Sequence, residues 1–120
     1  MTNYREIWET YAGAWRAGER ADKLTALDRS VARCAVYRDP AVECRGHDDL
    51  VEYMLQFHQQ VPGGRFETTY FLVHHARSIA RWNMVSGAGE KIGEGLSYGE
   101  YDSDGMLVAM TGFFEIPPAP

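Results

Sequence analysis

Cysteine is scarce here, with two in 120 residues, and proline is limited to five. Two cysteines cannot knit a disulfide-dense secreted scaffold. Cys34 and Cys44 flank Asp39 and can lie on facing strands, so one bridge stays open. In a reducing compartment both read as small buried apolar groups. Basic charge is also short: twelve Lys and Arg stand against seventeen Asp and Glu, a formal charge of −5. The charges are scattered and form no basic stripe, which argues against a nucleic-acid surface. No apolar run approaches the length of a membrane span. Met1-Thr2-Asn3-Tyr4-Arg5-Glu6 has none of the apolar core of a signal peptide, so a cytoplasmic address is expected.

Chemical signatures are missing as well. There is no Gly-x-Ser-x-Gly elbow, phosphate loop or dinucleotide fingerprint. Gly93-x-Gly95-x-x-x-Gly99 has the wrong spacing and lies inside a strand pattern. Any pocket chemistry is therefore expected to need no cofactor. His47 opens a helix, His58 lies near the end of one, and His74 and His75 fall at a turn. None has the spacing of a metal-ligand set, so no metal site is expected. His75, if beside a cavity mouth, is an alternative acid–base group.

What is present is apolar pattern. Hydrophobic residues make up 45% of the chain, enough for one core, and residues 1–120 read as a single domain. Tyr4, Ile7, Trp8, Tyr11 and Trp15 recur at helical spacing. Asn3 and Glu6 fit a capping box, and Gly18 ends the helix. A second helix is expected from Asp22 to Ala32, with Leu24, Leu27 and Val31 inward. Cys34–Arg38 is extended and Asp39-Pro40 turns. Gly46-His47-Asp48-Asp49 opens a third helix that buries Leu50, Tyr53, Met54, Phe57 and Val61. Pro62-Gly63-Gly64 stops it.

Four strands follow: Arg65–Val73, Ser78–Ser86, Ile92–Tyr101 and Met106–Ile116, the last closed by Pro117-Pro118. Helices first and consecutive antiparallel strands after them describe an α+β domain. Gly93, Gly95, Ser97 and Gly99 share one face of the third of these strands. Interior glycine marks a bend or a close approach. The space they leave is filled by Trp82 or Tyr11, or it is a ligand cavity; both readings stand.

Order and spacing together resemble the nuclear-transport-factor-2-like superfamily, above all its SnoaL-like polyketide cyclases and ketosteroid isomerases. The stretches that carry the likeness are Tyr11–Glu19, Ala35–Pro40, Arg45-Gly46 and Asp104–Met110. The resemblance implies a cone-shaped curved antiparallel sheet wrapped around the N-terminal helices, with a pocket between them (a cystatin-like architecture). It implies Asp39 as general base and Tyr11 as oxyanion donor. Ser97 stands where that family has a further acid, and its hydroxyl donates more weakly. Met54 stands where the family supports its oxyanion tyrosine, with Tyr53 beside it.

Such a site would take a small apolar, carbonyl-bearing molecule. The expected lining is Trp15, Tyr53, Phe57, Trp82, Met84, Tyr101, Met110 and Phe114, each of which can also be plain core. Asp39 can equally be a turn residue capping its own backbone, and Tyr11 a core aromatic. The same fold also serves as a non-catalytic binding module. The resemblance further implies a homodimer through the convex sheet face, where Arg81, Asn83, Tyr98 and Glu100 are expected.

Overall fold

The computed structural model describes residues 2–16 and 18–115. Helix α1 (Tyr4–Arg16) begins where its cap predicts, with the Glu6 N–H donating to Asn3 Oδ1 at 3.1 Å. It buries Trp8, Tyr11, Ala14 and Trp15 on one face. Helix α2 (Arg20–Ser30) starts and ends two residues earlier than the pattern suggested. Val31, expected on its inner face, instead starts strand β1 (Val31–Arg38). Its β-branched side chain suits that extended backbone, and it is buried there all the same.

The three-residue strand β2 (Glu43–Arg45) was not anticipated, being too short to show a period. It pairs antiparallel with β1 through Tyr37 and Cys44. Helix α3 (Gly46–Gln60) follows at once, and Gly46 makes the corner with φ +78, a conformation that costs other residues. Its buried stripe is Leu50, Val51 and Met54.

Strands β3 (Arg65–His74), β4 (Arg77–Val85), β5 (Lys91–Tyr101) and β6 (Leu107–Phe113) match the predicted strands within a few residues. The expected end of the last strand, Ile116 with Pro117-Pro118, lies outside the described residues. All six strands form one curved, unclosed sheet in the order β2-β1-β6-β5-β4-β3. The last four are consecutive and antiparallel, whereas β1 joins β6 in parallel.

The helices cover the inner face, where Leu27, Val51, Met54, Ala80 and Leu107 are fully buried. The outer face keeps Ile79, Leu72, Tyr70 and Phe113 exposed. Cys44 is buried and Cys34, contrary to the apolar reading, is exposed; both are free. Among the described residues no helix is long and apolar enough to cross a membrane.

Candidate functional site

Period three and four on α1 sends Trp8, Tyr11 and Trp15 inward, while period two at the end of β1 sends Tyr37 and Asp39 to one side. These groups meet β4 and β5 across a cavity of about 190 Å³. That is somewhat larger than a cavity of about 150 Å³ able to hold benzene. Its walls include Trp15, Phe57, Trp82, Met84 and Phe114, so a flat apolar body fits them.

Asp39 is a turn residue, and it also lines the cavity. Its Oδ1 accepts the backbone N–H groups of Ala41 at 2.8 Å and Val42 at 3.1 Å, closing the turn. Its Oδ2 faces the cavity and accepts two phenols, Tyr37 and Tyr53, each at 2.7 Å. Four donors thus fix one carboxylate. Tyr37 was missed in the sequence, although its position two residues before Asp39 was a readable signal. Tyr53, expected as lining, also holds the carboxylate. Burial, with Asp39 beside them, pushes both phenols well above the ordinary tyrosine range. They therefore stay protonated donors.

Tyr11 lines the same cavity and is 4% exposed. Burial raises its phenol far above the usual value, and the charge on Asp39 adds to that. Its oxygen accepts the Trp15 indole N–H at 3.1 Å, which leaves the phenolic proton to give. Met54, on α3, is fully buried and takes no part in this support.

Ser97 also reaches the cavity, and its Oγ accepts the Trp82 N–H at 2.9 Å. At Gly95 the space is filled, as one of the two readings has it. Trp82 lies over Gly95, where an added Cβ would sit 2.4 Å from the indole and 2.7 Å from the Phe113 carbonyl. The cavity persists beside that ring. Gly95→Ala should therefore displace Trp82 and cost about 1–3 kcal/mol. Denaturant unfolding checks the cost, and the Trp82 indole N–H resonance reports the broken bond to Ser97.

Two expected lining residues do not reach the cavity. Tyr101 packs at the far end of β5, its ring 4.7 Å from Tyr4 and its hydroxyl 2.9 Å from Ser78 Oγ. Met110 is 1% exposed in the core. Inward parity put both on the inner face, but Tyr4 of α1 packs on Tyr101 and Met110 is enclosed in the core. His74 and His75 form the exposed β3–β4 turn. Gln56 and Gln60 of α3 join the lining, which the apolar stripe of that helix gave no reason to expect. Among the described residues, no three His, Cys, Asp or Glu side chains converge as a metal would require.

Comparison with known proteins agrees with this fold. No curated protein matches the chain. A candidate isomerase of the SnoaL-like family from Agrobacterium tumefaciens superposes with a TM-score of 0.87 at 21% identity, covering 97% of this chain and 100% of that one. A candidate ketosteroid isomerase from Kribbella flavida gives 0.71 at 17% identity, over 98% of this chain and 81% of that one. A candidate polyketide cyclase from Sinorhizobium meliloti gives 0.71 at 15% identity, over 89% and 93%. At these identities the likeness establishes the fold alone. The family model of the SnoaL-like domain matches residues 8–116, most of the sequence, and the chain belongs to the SnoaL-like domain family.

Proposed function

We propose that the cavity binds a small, flat, carbonyl-bearing molecule and moves a proton on it. The C–H bond beside the carbonyl breaks and its proton passes to Asp39. The electron pair moves onto the carbonyl oxygen, where Tyr11, aided by Ser97, donates to the developing oxyanion. In a β,γ-unsaturated ketone, returning the proton to the γ-carbon completes an isomerisation; attack of the enolate carbon on a second carbonyl of the same molecule, whose alkoxide takes the proton back from Asp39, completes a cyclisation. The observation that carries this reading is that a carboxylate and a phenol with an unspent proton line one aromatic-walled cavity. Two free cysteines suit a reducing cytoplasm as the setting.

A second reading, binding without chemistry, draws support from the four donors already on Asp39. A carboxylate offers about four lone-pair sites, so a substrate carbon must displace one phenol before a proton can transfer. Solvent-deuterium uptake separates the two readings. Under the enzymatic reading, the protein speeds exchange at C2 of 1-indanone above the buffer rate, saturably with ketone. Saturable quenching of indole fluorescence with no such acceleration would establish a binding module.

The outer sheet face supports a further proposal, pairing with a second copy. Leu72 and Tyr70 on β3, Ile79 on β4 and Phe113 on β6 stand exposed on one face, the kind of apolar surface that marks an interface. Arg81 and Glu100 share that face with Asn83 and Tyr98, so a two-fold-related copy can set basic groups against acidic ones. Sedimentation at micromolar concentration should show a dimer, and a monomer there would count against the pairing.

A further inference from the structure

The chain has three tryptophans, and all three indoles act alike. Trp8 Nε1 donates to Thr68 Oγ1 at 3.3 Å, Trp15 Nε1 to Tyr11 Oη at 3.1 Å, and Trp82 Nε1 to Ser97 Oγ at 2.9 Å. An indole N–H can only donate, so the direction of each bond is fixed and each hydroxyl is the acceptor. Each of those hydroxyls lines the cavity. They stand on three different elements: Tyr11 on α1, Thr68 on β3 and Ser97 on β5.

A buried indole needs some partner, and a backbone carbonyl would serve; most side-chain hydrogen bonds go to backbone or water. Here every indole instead turns to a cavity hydroxyl. The consequence is chemical. A hydroxyl that accepts from an indole keeps its own proton, and the incoming bond polarises it toward donation. The cavity therefore presents three hydroxyl protons from three elements. The Asp39 corner is the opposite: the Tyr37 and Tyr53 protons are committed to Oδ2, leaving only oxygen lone pairs to face a ligand.

We infer that this cavity selects a neutral ligand with two or more carbonyl-type acceptor oxygens, read by the indole-backed hydroxyls of Tyr11, Thr68 and Ser97. The inference rests on the cavity being a ligand site, as proposed above, but not on any catalysis there. Neutrality follows from the Asp39 carboxylate, which repels an anion at short range. Two or more acceptors follow from the number of donors and from their placement on three elements, helix α1 and two strands of the sheet. A ligand without acceptors would leave buried donors unpaired, and such a mismatch weakens binding more than a missing apolar contact does.

Three probes of one shape test this: 2,2-dimethylindane, 2,2-dimethylindan-1-one and 2,2-dimethylindane-1,3-dione. None can enolise, so binding is read free of chemistry, by indole fluorescence. The expected result is a rise in affinity of about tenfold for each added carbonyl. Thr68→Val and Ser97→Ala should each weaken the dione about tenfold and leave the hydrocarbon within about twofold, while Thr68→Ser, which keeps the hydroxyl, should restore dione affinity. Equal affinity for the three probes would overturn the inference and leave the ligand site standing. Dione binding as weak in Thr68→Ser as in Thr68→Val would also overturn it, since shape rather than the hydroxyl would then decide. Failure of the wild-type protein to bind any probe would remove the ligand site itself.

Discussion

Titrated above pH 10, the protein should unfold in one steep step, coincident with the rise of phenolate absorbance. Burial holds the phenols of Tyr11, Tyr37 and Tyr53 above their ordinary range and raises Tyr101 to about 12. The unfolded chain releases these protons near pH 10, whereas the folded chain keeps them. Above pH 10 the native state thus binds more protons than the unfolded one, and stability falls as pH rises. The contribution is complete below pH 10 and is lost as the folded values are approached. For Tyr11 and Tyr37, the most deeply enclosed, the slope is about 1.4 kcal/mol per pH unit each, so about 3 kcal/mol together. Tyr53 adds less because it is only partly buried, and Tyr101, raised to about 12, adds over a narrower window.

Lys23 acts with the opposite sign. Its side chain is buried between α1 and α3, with Nζ 2.9 Å from the Ala14 carbonyl and 2.9 Å from His58 Nε2, and burial lowers its ammonium to about 8. Between about 8 and its ordinary 10.5 the unfolded chain holds this proton more tightly, so stability climbs with pH in that window. Denaturant midpoints should peak near pH 9 to 10 and then collapse. Ionisation of all seven tyrosines while the fold stays intact would show that these hydroxyls reach water, against the burial of Tyr11 and Tyr37.

The parts of this site legible in the sequence were those set by local rules. Trp8, Tyr11 and Trp15 follow the helical period, and Asp39 precedes a proline at the end of an apolar alternation, so their placement needed no tertiary information. The glycines of β5 signalled a close approach, and the sequence kept both explanations. The structure fills the space over Gly95 with Trp82 and keeps a cavity alongside, whose use as a ligand site is the proposal made above.

What could not be read was convergence. Tyr53 lies fourteen residues from Asp39 on another element, and no period relates a helix face to a strand end. The partnership of Trp8 with Thr68 spans sixty residues and depends on how α1 lies across the sheet. Tyr101 and Met110 failed as lining for a related reason. Parity chooses a face, but where along a strand the cavity ends is set by what packs upon it, as Tyr4 of α1 does on Tyr101.

The most direct measurement of the central claim is solvent exchange at C2 of 1-indanone by Asp39→Asn beside the wild type. Asparagine keeps the size of aspartate and a carbonyl oxygen for the turn amides, so the Oδ1 bonds to Ala41 and Val42 can persist. Its amide nitrogen cannot accept from Tyr37 or Tyr53, and those phenols must rotate. Removing charge from that network should cost about 1–3 kcal/mol of stability. Ketone affinity, set mainly by the aromatic walls, should stay within several-fold of wild type. Loss of a general base costs about 10²–10⁴ in rate. The account therefore predicts an exchange rate at least a hundredfold lower at near-unchanged affinity, and an undiminished rate in the folded variant would contradict it.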